Sequence, residues 1–307
     1  MASSHSLKIK QNFAQLAAHI VVALIALVVI GGSTRVMEAG LACPDWPLCY
    51  GSFLPGGKMN IQVFLEWFHR LDAFFVGIAL LIQFCFGIVY RRQLPKWIPW
   101  SFAITLILMI VQGLLGALTV IQLVPSNVVT SHLTLALILL SIMSGMTQNL
   151  LSPNTIKSPL WWRVLSGASL IGVISQSVIG ARMATSWGSQ LCISQGKFCH
   201  YLDLHRFIAF PVSALVLLFV FISFIAGGWP RSQWPFLTSL LFLLAFQITL
   251  GIISVNSYLS EPLIRISHQF IAALLVALLS GLFARRPLLM SYAPMNYQDS
   301  NLEVCHG

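Results

Sequence analysis

The chain has 307 residues, of which 57% are hydrophobic and 8% are charged, with a mean hydropathy of +0.85 and a formal net charge of +9. Soluble domains carry about a quarter charged residues, so this composition excludes an ordinary soluble enzyme and indicates an integral membrane protein. Membrane topology and contact with anionic membrane lipid account for the positive charge, and no nucleic-acid partner is expected.

Eight apolar stretches are each long enough to cross a bilayer as a helix, which takes about 20 residues. They lie near 13–34, 67–90, 97–121, 127–148, 163–184, 204–227, 233–256 and 264–284. Transmembrane strands are about ten residues long and alternate in polarity, and these stretches do neither. The sequence therefore predicts an all-α integral membrane protein with eight transmembrane helices.

The positions of lysine and arginine predict the orientation of these helices. No small-residue cleavage site follows the first apolar run, which indicates a retained helix in a bacterial chain. The basic residues before that helix and in alternate short loops are Lys8, Lys10, Arg91, Arg92, Lys96, Lys157, Arg163, Arg231, Arg285 and Arg286. By the positive-inside rule, we expect a multi-pass protein of the bacterial cell (inner) membrane with both termini in the cytoplasm.

Four of the six cysteines lie in the two largest outer loops, as one close pair in each loop. The pairs are Cys43 with Cys49 and Cys192 with Cys199. An even number of cysteines in an oxidising compartment favours a disulfide within each loop. Free thiols or a metal site are the open alternatives.

The sequence also contains an internal repeat, the feature that decides its organisation. "HRLDAFFV" beginning at His69 resembles "HRFIAFPV" beginning at His205, and "SHLTLALIL" beginning at Ser131 resembles "SHQFIAALL" beginning at Ser267, both at an offset of 136 residues. "QGLLGALTV" at 112–120 resembles "QITLGIISV" at 247–255, at an offset of 135 residues.

The repeat predicts two tandem four-helix bundles, residues 1–149 and 160–290, joined by a linker at 150–159 and followed by a cytoplasmic tail at 291–307. Each half has an even number of spans. Both halves therefore insert with the same orientation, and a pseudo-two-fold axis along the membrane normal relates them.

The repeat places four histidines, His69, His132, His205 and His268, near the outer ends of the second, fourth, sixth and eighth helices. Ionisable groups at such positions mark function, although interfacial histidines bonded to headgroups or carbonyls are the alternative. Two matched pairs favour function.

Imidazoles from opposing helices can hold a haem iron between them. Copper is a second option, whereas c-type haem attachment is excluded because "KFCH" lacks the first cysteine of the motif. Arg70 and Arg206 each follow a histidine, and their guanidinium groups suit the haem propionates.

The two halves differ beside the histidine. Glu66 lies three residues before His69 and shares its helical face, whereas the equivalent residue in the second half is Leu202. Asp203 lies two residues before His205 and faces elsewhere. A carboxylate in this position can move protons or stabilise positive charge, and an ion pair with Arg70 is the structural alternative.

Together, these motifs resemble the haem A synthase family. They are "E-x-x-H-R" at 66–70, "S-H" at 131–132 and 267–268, "H-R" at 205–206, "GLACPDWPLCYG" at 40–51 and "G-x-x-R" at 32–35. The resemblance covers nearly the whole chain. It implies eight transmembrane helices, a haem b cofactor in the C-terminal half, and conversion of haem O to haem A by successive hydroxylations of a methyl group.

The resemblance also implies roles for single residues. His205 and His268 would be axial ligands of haem b, His69 and His132 would flank the substrate haem, and Glu66 would be the catalytic carboxylate. Cys43 with Cys49, and Cys192 with Cys199, would form outer-loop disulfides. Haem O is the implied substrate, and a haem O synthase and the terminal oxidase assembly machinery are the implied partners.

Two other functions fit paired histidines. A di-haem, cytochrome b-like carrier linked to quinone would hold two identical haems in equivalent halves. A haem transporter or chaperone would release its porphyrin unchanged and would tolerate the change Glu66→Gln.

Overall fold

The computed structural model describes residues 2–151, 157–185 and 199–287. In these ranges it is helical, and eight of the helices are long and apolar enough to cross a membrane. Their bounds are α1 Ala2–Val36, α2 Ile61–Val89, α3 Trp97–Ile121, α4 Ser126–Leu151, α5 Leu160–Thr185, α6 His200–Ile225, α7 Trp234–Asn256 and α8 Pro262–Ala284. The predicted all-α membrane fold with eight spanning helices is confirmed.

Helix α2 begins at Ile61, about six residues before the start of the predicted apolar stretch at 67–90. Asn60 caps it, because its side chain accepts a hydrogen bond of 2.9 Å from the backbone N–H of Val63. The residues just before the predicted apolar stretch are therefore helical, and His69 lies in the third turn of α2.

The helices of each half contact one another in a ring. Helix α1 packs on α2 and α4, and α3 packs on α2 and α4; α5 packs on α6 and α8, and α7 packs on α8 and less extensively on α6. The halves meet where α4 contacts α8, α1 contacts α8, and α4 contacts α5.

The contact between α4 and α8 is reciprocal. The Ser144 hydroxyl donates to the carbonyl of Ala277 at 2.7 Å, and the Ser280 hydroxyl donates to the carbonyl of Ser141 at 2.5 Å. The two donors are equivalent in the repeat, and so are the two acceptors. This exchange is typical of a two-fold contact between like surfaces.

The repeat is also visible in backbone conformation. Just after α3, Leu123 and Val124 have φ values of 58° and 53°, and just after α7, Tyr258 and Leu259 have φ values of 54° and 59°. Non-glycine residues seldom adopt positive φ. Finding two in succession at the same offset of 135 residues shows that both turns have the same shape.

The division into halves stays a prediction. Residues 152–156 of the predicted linker and the whole of the predicted tail lie outside the described residues.

Candidate functional site

The structure brings the four repeated histidines together as two pairs. The ring centroids of His69 on α2 and His132 on α4 are 6.4 Å apart, and those of His205 on α6 and His268 on α8 are 6.5 Å apart. Their interplanar angles, 75° and 69°, are also alike.

This spacing fits two imidazoles that bind one metal from opposite sides. With metal–nitrogen bonds of about 2.0–2.1 Å, and each ring centre roughly 1 Å behind its nitrogen, the centroids would be about 6 Å apart. In the described ranges, no group of three or more His, Cys, Asp or Glu side chains is placed to hold a metal ion, which counts against a compact copper cluster.

Each imidazole packs against a glycine of the preceding helix. A Cβ atom built on that glycine would lie 2.7 to 3.4 Å from the histidine Cε1. The contacts are Gly31 with His69 at 2.7 Å, Gly116 with His132 at 3.4 Å, Gly180 with His205 at 2.9 Å and Gly251 with His268 at 3.2 Å. The glycines therefore let the helix backbone approach the ring closely.

In three of the four contacts, a glutamine one helical turn before the glycine also reaches the histidine. Gln112 Nε2 donates to the His132 carbonyl at 3.0 Å, Gln176 Nε2 donates to the His205 carbonyl at 2.6 Å and lies 3.1 Å from its Nδ1, and Gln247 Nε2 lies 3.2 Å from His268 Nε2. We call the glycine and the residue four positions before it a histidine socket.

The socket of His69 is the exception. The position one turn before Gly31 is occupied by Leu27, which is buried and cannot form a hydrogen bond. Nδ1 of His69 is buried and has no hydrogen-bond partner among the described residues, and the same holds for Nδ1 of His132 and Nδ1 of His268.

Sequence reasoning missed these sockets. Gln112 and Gln247 both lie in the repeated "Q-x-x-x-G" blocks, and Gln176 and Gly180 have the same spacing. The pattern was visible in the sequence, but its meaning was not, because each glutamine contacts a histidine on a different helix.

Glu66 is buried, with 5% of its surface exposed, and has two partners. Its Oε1 accepts a hydrogen bond from Arg70 at 2.5 Å, and its Oε2 accepts one from the backbone N–H of Cys43 at 2.8 Å. The ion pair with Arg70, which was the alternative role weighed for Glu66, is therefore present, and it is joined to the loop between α1 and α2. Leu202 takes the equivalent place in the second half with the same 5% exposure.

The two arginines that follow the histidines are placed differently. Arg70 Nη1 donates to the carbonyls of Asp45 and Leu48 at 2.6 Å each, and Nη2 donates to the carbonyl of Cys43 at 3.3 Å as well as to Glu66. Both terminal nitrogens of Arg70 therefore donate hydrogen bonds to the loop. The equivalent side chain in the second half is exposed and has no hydrogen bond or ion pair with the described residues.

A disulfide joins Cys43 and Cys49 in this loop, as predicted, and both residues are buried. The Asp45 carboxylate closes the loop by accepting hydrogen bonds from the backbone N–H groups of Gly51, at 2.7 Å, and Tyr50, at 2.6 Å. These amides, Gly51 first, lower the pKa of Asp45. In the second half Cys199 is disulfide-bonded, while Cys192 lies outside the described residues.

One further polar residue near the site was not assigned a role from the sequence. Asp72 lies one turn after His69, and its Oδ2 is buried with no partner among the described residues. Its equivalent in the repeat is Ile208. Comparing the two halves position by position would have revealed this second carboxylate, just as it revealed Glu66.

The "G-x-x-R" motif joins the two halves. Arg35 Nη2 donates to Gln269 Oε1 at 2.8 Å, and Gln269 Nε2 donates to the carbonyl of Val28 at 2.8 Å. The Gln269 side chain fills the space where a Cβ on Gly32 would lie. The motif therefore fixes α1 against α8.

Fold and site together define a class: a multi-span membrane protein with two paired-histidine centres of like geometry, only one of which has a buried carboxylate beside it. The chain belongs to the COX15-CtaA family of cytochrome oxidase assembly proteins, whose family model matches residues 14–280.

Several relatives of this chain are named heme A synthase. The protein from Shewanella oneidensis is 28% identical over 81% of this chain and 89% of its own length. The protein from Flavobacterium psychrophilum is 26% identical over 82% of this chain and 91% of its own length. A protein from a Chelativorans species is 30% identical over 39% of this chain and 36% of its own length. With the first two relatives, the similarity extends over both halves.

Proposed function

We propose that this chain is a haem A synthase, an oxidoreductase that oxidises a methyl group of haem O to a formyl group by successive hydroxylations. The product would be haem A for terminal oxidase assembly. The observation that carries the proposal is the difference between two histidine pairs of equal spacing. Glu66 and Asp72 flank one pair, and Leu202 and Ile208 take their places beside the other. The family and the names of its members support the same reaction.

The C-terminal pair, His205 and His268, would hold the resident haem b. Its ring spacing fits two imidazoles on one iron, and in both of its sockets a glutamine contacts the histidine. When bound, haem b supplies one-electron transfer. Arg206 is exposed and has no partner among the described residues, so its guanidinium can pair with a propionate.

The N-terminal pair, His69 and His132, would flank the substrate haem O. Glu66 lies one turn before His69, and its carboxylate would hold a proton or stabilise positive charge that develops at the reacting methyl group. The contacts of Arg70 support a positioning role: it holds Glu66 and the disulfide loop, and it would bind a propionate only after releasing loop carbonyls.

The remaining expectations are part of the same proposal. The halves 1–149 and 160–290 would be two bundles related by a two-fold axis, and the reciprocal serine contact supports this. Both termini would be cytoplasmic in the inner membrane. A Cys192–Cys199 disulfide would match the one at Cys43 and Cys49. A haem O synthase and the terminal oxidase assembly machinery would be the partners, in contact with membrane lipid.

Two observations speak against the other functions. A di-haem carrier needs equivalent halves, whereas the carboxylates and the sockets differ between them. A transporter needs no buried carboxylate tied to both an arginine and a disulfide loop.

Porphyrin analysis tests the proposal. The protein would be purified from cells that supply haem O, and its porphyrins would be extracted and separated by chromatography. We expect haem O and haem A together with haem B. Haem B alone would support a carrier, and haem O without haem A would support a transporter.

A further inference from the structure

We infer that Arg35 and Arg265 form a carboxylate-binding site at the contact between α1 and α8, where they hold one propionate from each of the two porphyrins. We call these two residues the seam arginines. The inference rests on the proposed function, because it takes a porphyrin to bind at each histidine pair and names residues that orient both porphyrins.

The seam arginines are two neighbouring cations that no salt bridge neutralises. They lie close enough to repel each other electrostatically. Glu38, which is exposed, is close enough to attract Arg265. The salt bridge found among the described residues joins Arg70 to Glu66 and involves neither seam arginine. Partly buried charges in a membrane protein are costly unless an opposite charge compensates them, so two cations beside one exposed carboxylate favour the binding of an anion.

The hydrogen bonds of the seam arginines orient both guanidinium groups and add no negative charge. Arg35 Nη2 donates to Gln269 Oε1 at 2.8 Å, and Arg265 Nη1 donates to the carbonyl of Leu259 at 3.1 Å. Nε of Arg35 is buried and has no hydrogen-bond partner in the described ranges. A guanidinium has five N–H donors, so each seam arginine has donors left for a carboxylate.

The seam arginines lie next to both histidine pairs. On α1, Arg35 comes one turn after Gly31, which packs against His69. On α8, Arg265 comes one turn before His268. Both arginines therefore lie on the side of the histidines where α1 ends and α8 begins.

The porphyrin groups that suit this place are the propionates. Their carboxylates are charged and avoid the apolar centre of the membrane, so they point towards the helix ends near which the histidines lie. A guanidinium binds a carboxylate through two parallel hydrogen bonds. Because Arg35 lies beside the N-terminal pair and Arg265 beside the C-terminal pair, one carboxylate from each porphyrin suits the same site.

The internal repeat contains no second copy of this site. The position one turn after Gly180 is Ala184, and the position three residues before His132 is Val129. The seam arginines therefore form a single site between the halves, and Arg206 is left for the other propionate of the resident haem.

The midpoint potential of the resident haem tests Arg265. A nearby guanidinium disfavours the extra positive charge of the oxidised haem, so Arg265→Gln should lower the potential. We expect about a tenfold change in the ratio of oxidised to reduced haem at a fixed potential, which is 59 mV for a one-electron couple. Arg265→Lys should stay near the wild-type value. Arg91→Gln, which changes an exposed arginine beyond the far end of α2, should have no effect. Spectroelectrochemical titration of the purified protein measures all three variants.

The binding of added haem B tests Arg35. Haem B would be titrated into protein purified with its resident haem from cells that lack haem O, and binding would be followed in the absorption spectrum. Its dimethyl ester, which has no free carboxylate, is the matched probe. The wild-type protein should bind haem B at least about tenfold more tightly than the ester, the effect of a hydrogen bond to a charged group. Arg35→Gln should remove most of this preference, and Arg35→Lys should keep part of it.

The outcomes separate this inference from the proposed function. If the wild-type protein binds the ester as tightly as haem B, or if the lysine variants behave as the glutamine variants, the inference fails. If Arg35→Gln loses bound phospholipid phosphorus but binds haem B normally, the anion is a lipid headgroup, which also overturns it. Should Arg35→Gln not accumulate in the membrane, the potentials of the Arg265 variants decide. The proposed function fails if wild-type protein from cells that supply haem O yields no haem A, whatever the seam arginines bind.

Discussion

Glu66 shows how one buried carboxylate can have two tasks. It is bonded both to Arg70 and to the amide of Cys43, so it links the start of α2 to the disulfide loop. Removing one partner of a buried ion pair leaves an uncompensated charge, which is costly. A variant at this position can therefore lose activity through chemistry or through the loop, and a test has to separate the two.

The change Glu66→Gln keeps the size of the side chain and removes its charge. We expect formation of formyl porphyrin to fall about 10²–10⁴-fold, the usual effect of losing a general acid or base. The reduced-minus-oxidised spectrum of the resident haem should stay the same, because that haem is held by α6 and α8. Porphyrin chromatography and difference spectroscopy on the same membranes check both points.

Arg70→Gln is the control for the loop. It breaks the ion pair and the contacts to the carbonyls of Asp45 and Leu48 but keeps the Glu66 carboxylate. We expect a smaller loss of product than in Glu66→Gln. Equal losses would show that Glu66 acts only by holding the loop.

The lowered pKa of Asp45 predicts how the disulfide loop responds to acid. A carboxyl group whose pKa is lower in the folded protein stabilises it fully above the ordinary value, about 3.9, and that stabilisation is lost as the pH falls through the lowered pKa. The Tyr50 and Gly51 amides should therefore stay protected from hydrogen exchange near neutral pH and lose protection in strong acid.

Asp45→Asn provides the comparison. The variant should show lower protection of these two amides at neutral pH, and a protection factor that changes little with acidification. An unchanged pH profile would show that the carboxylate does not close the loop.

At the scale of the helices, the sockets explain why certain glycines are needed. A methyl group on Gly180 would lie 2.9 Å from the His205 ring, and one on Gly31 would lie 2.7 Å from the His69 ring, both closer than Cβ contacts occur in proteins. Gly113, also in a spanning helix, has open space at that position.

Alanine substitutions at these glycines should affect the N-terminal and the C-terminal histidine pair differently. Gly180→Ala should displace His205 and reduce the amount of resident haem in the difference spectrum. Gly31→Ala should leave that spectrum intact and lower the yield of haem A, and Gly113→Ala should change neither. If Gly31→Ala and Gly180→Ala have the same effect, the two pockets do not work independently.

The sequence predicted the helices well, because a spanning helix must be apolar over its whole length. It located α3, for example, at the residues the structure gives. It missed the early start of α2, because Gln62 and Glu66 interrupt the apolar pattern there and the helix start depends on the Asn60 cap. It also missed the contact of Glu66 with Cys43, since 23 residues separate them and only the folded loop joins them.

At the scale of the whole molecule, hydrogen bonds between side chains and carbonyls join the two halves. Ser144 and Ser280 each donate across the contact between α4 and α8, and Gln269 joins α1 to α8. The sequence showed the duplication, but it gave no sign of which helices meet, because like helices in both halves are similarly apolar.

The double change Ser144→Ala and Ser280→Ala tests this contact. Interhelical hydrogen bonds in membranes contribute on average about 0.6 kcal/mol and at most about 1.7 kcal/mol, so we expect a loss of about 1–3 kcal/mol. Unfolding in mixed detergent measures it. Thr249→Val is the control, because among the described residues the Thr249 hydroxyl bonds only within its own helix, to the carbonyl of Ala245. A double variant as stable as the control would show that the serines do not join the halves.

The ring arrangement of the helices has a consequence for how a large apolar substrate reaches the N-terminal histidine pair. Helix α2, which carries His69, packs mainly on α1 and α3 of its own half, whereas α4, which carries His132, lies at the centre against α8. Outward movement of α2 would create a lateral opening towards the lipid acyl chains and would leave the central helices in place. A porphyrin could then enter and leave sideways within the bilayer, without crossing water.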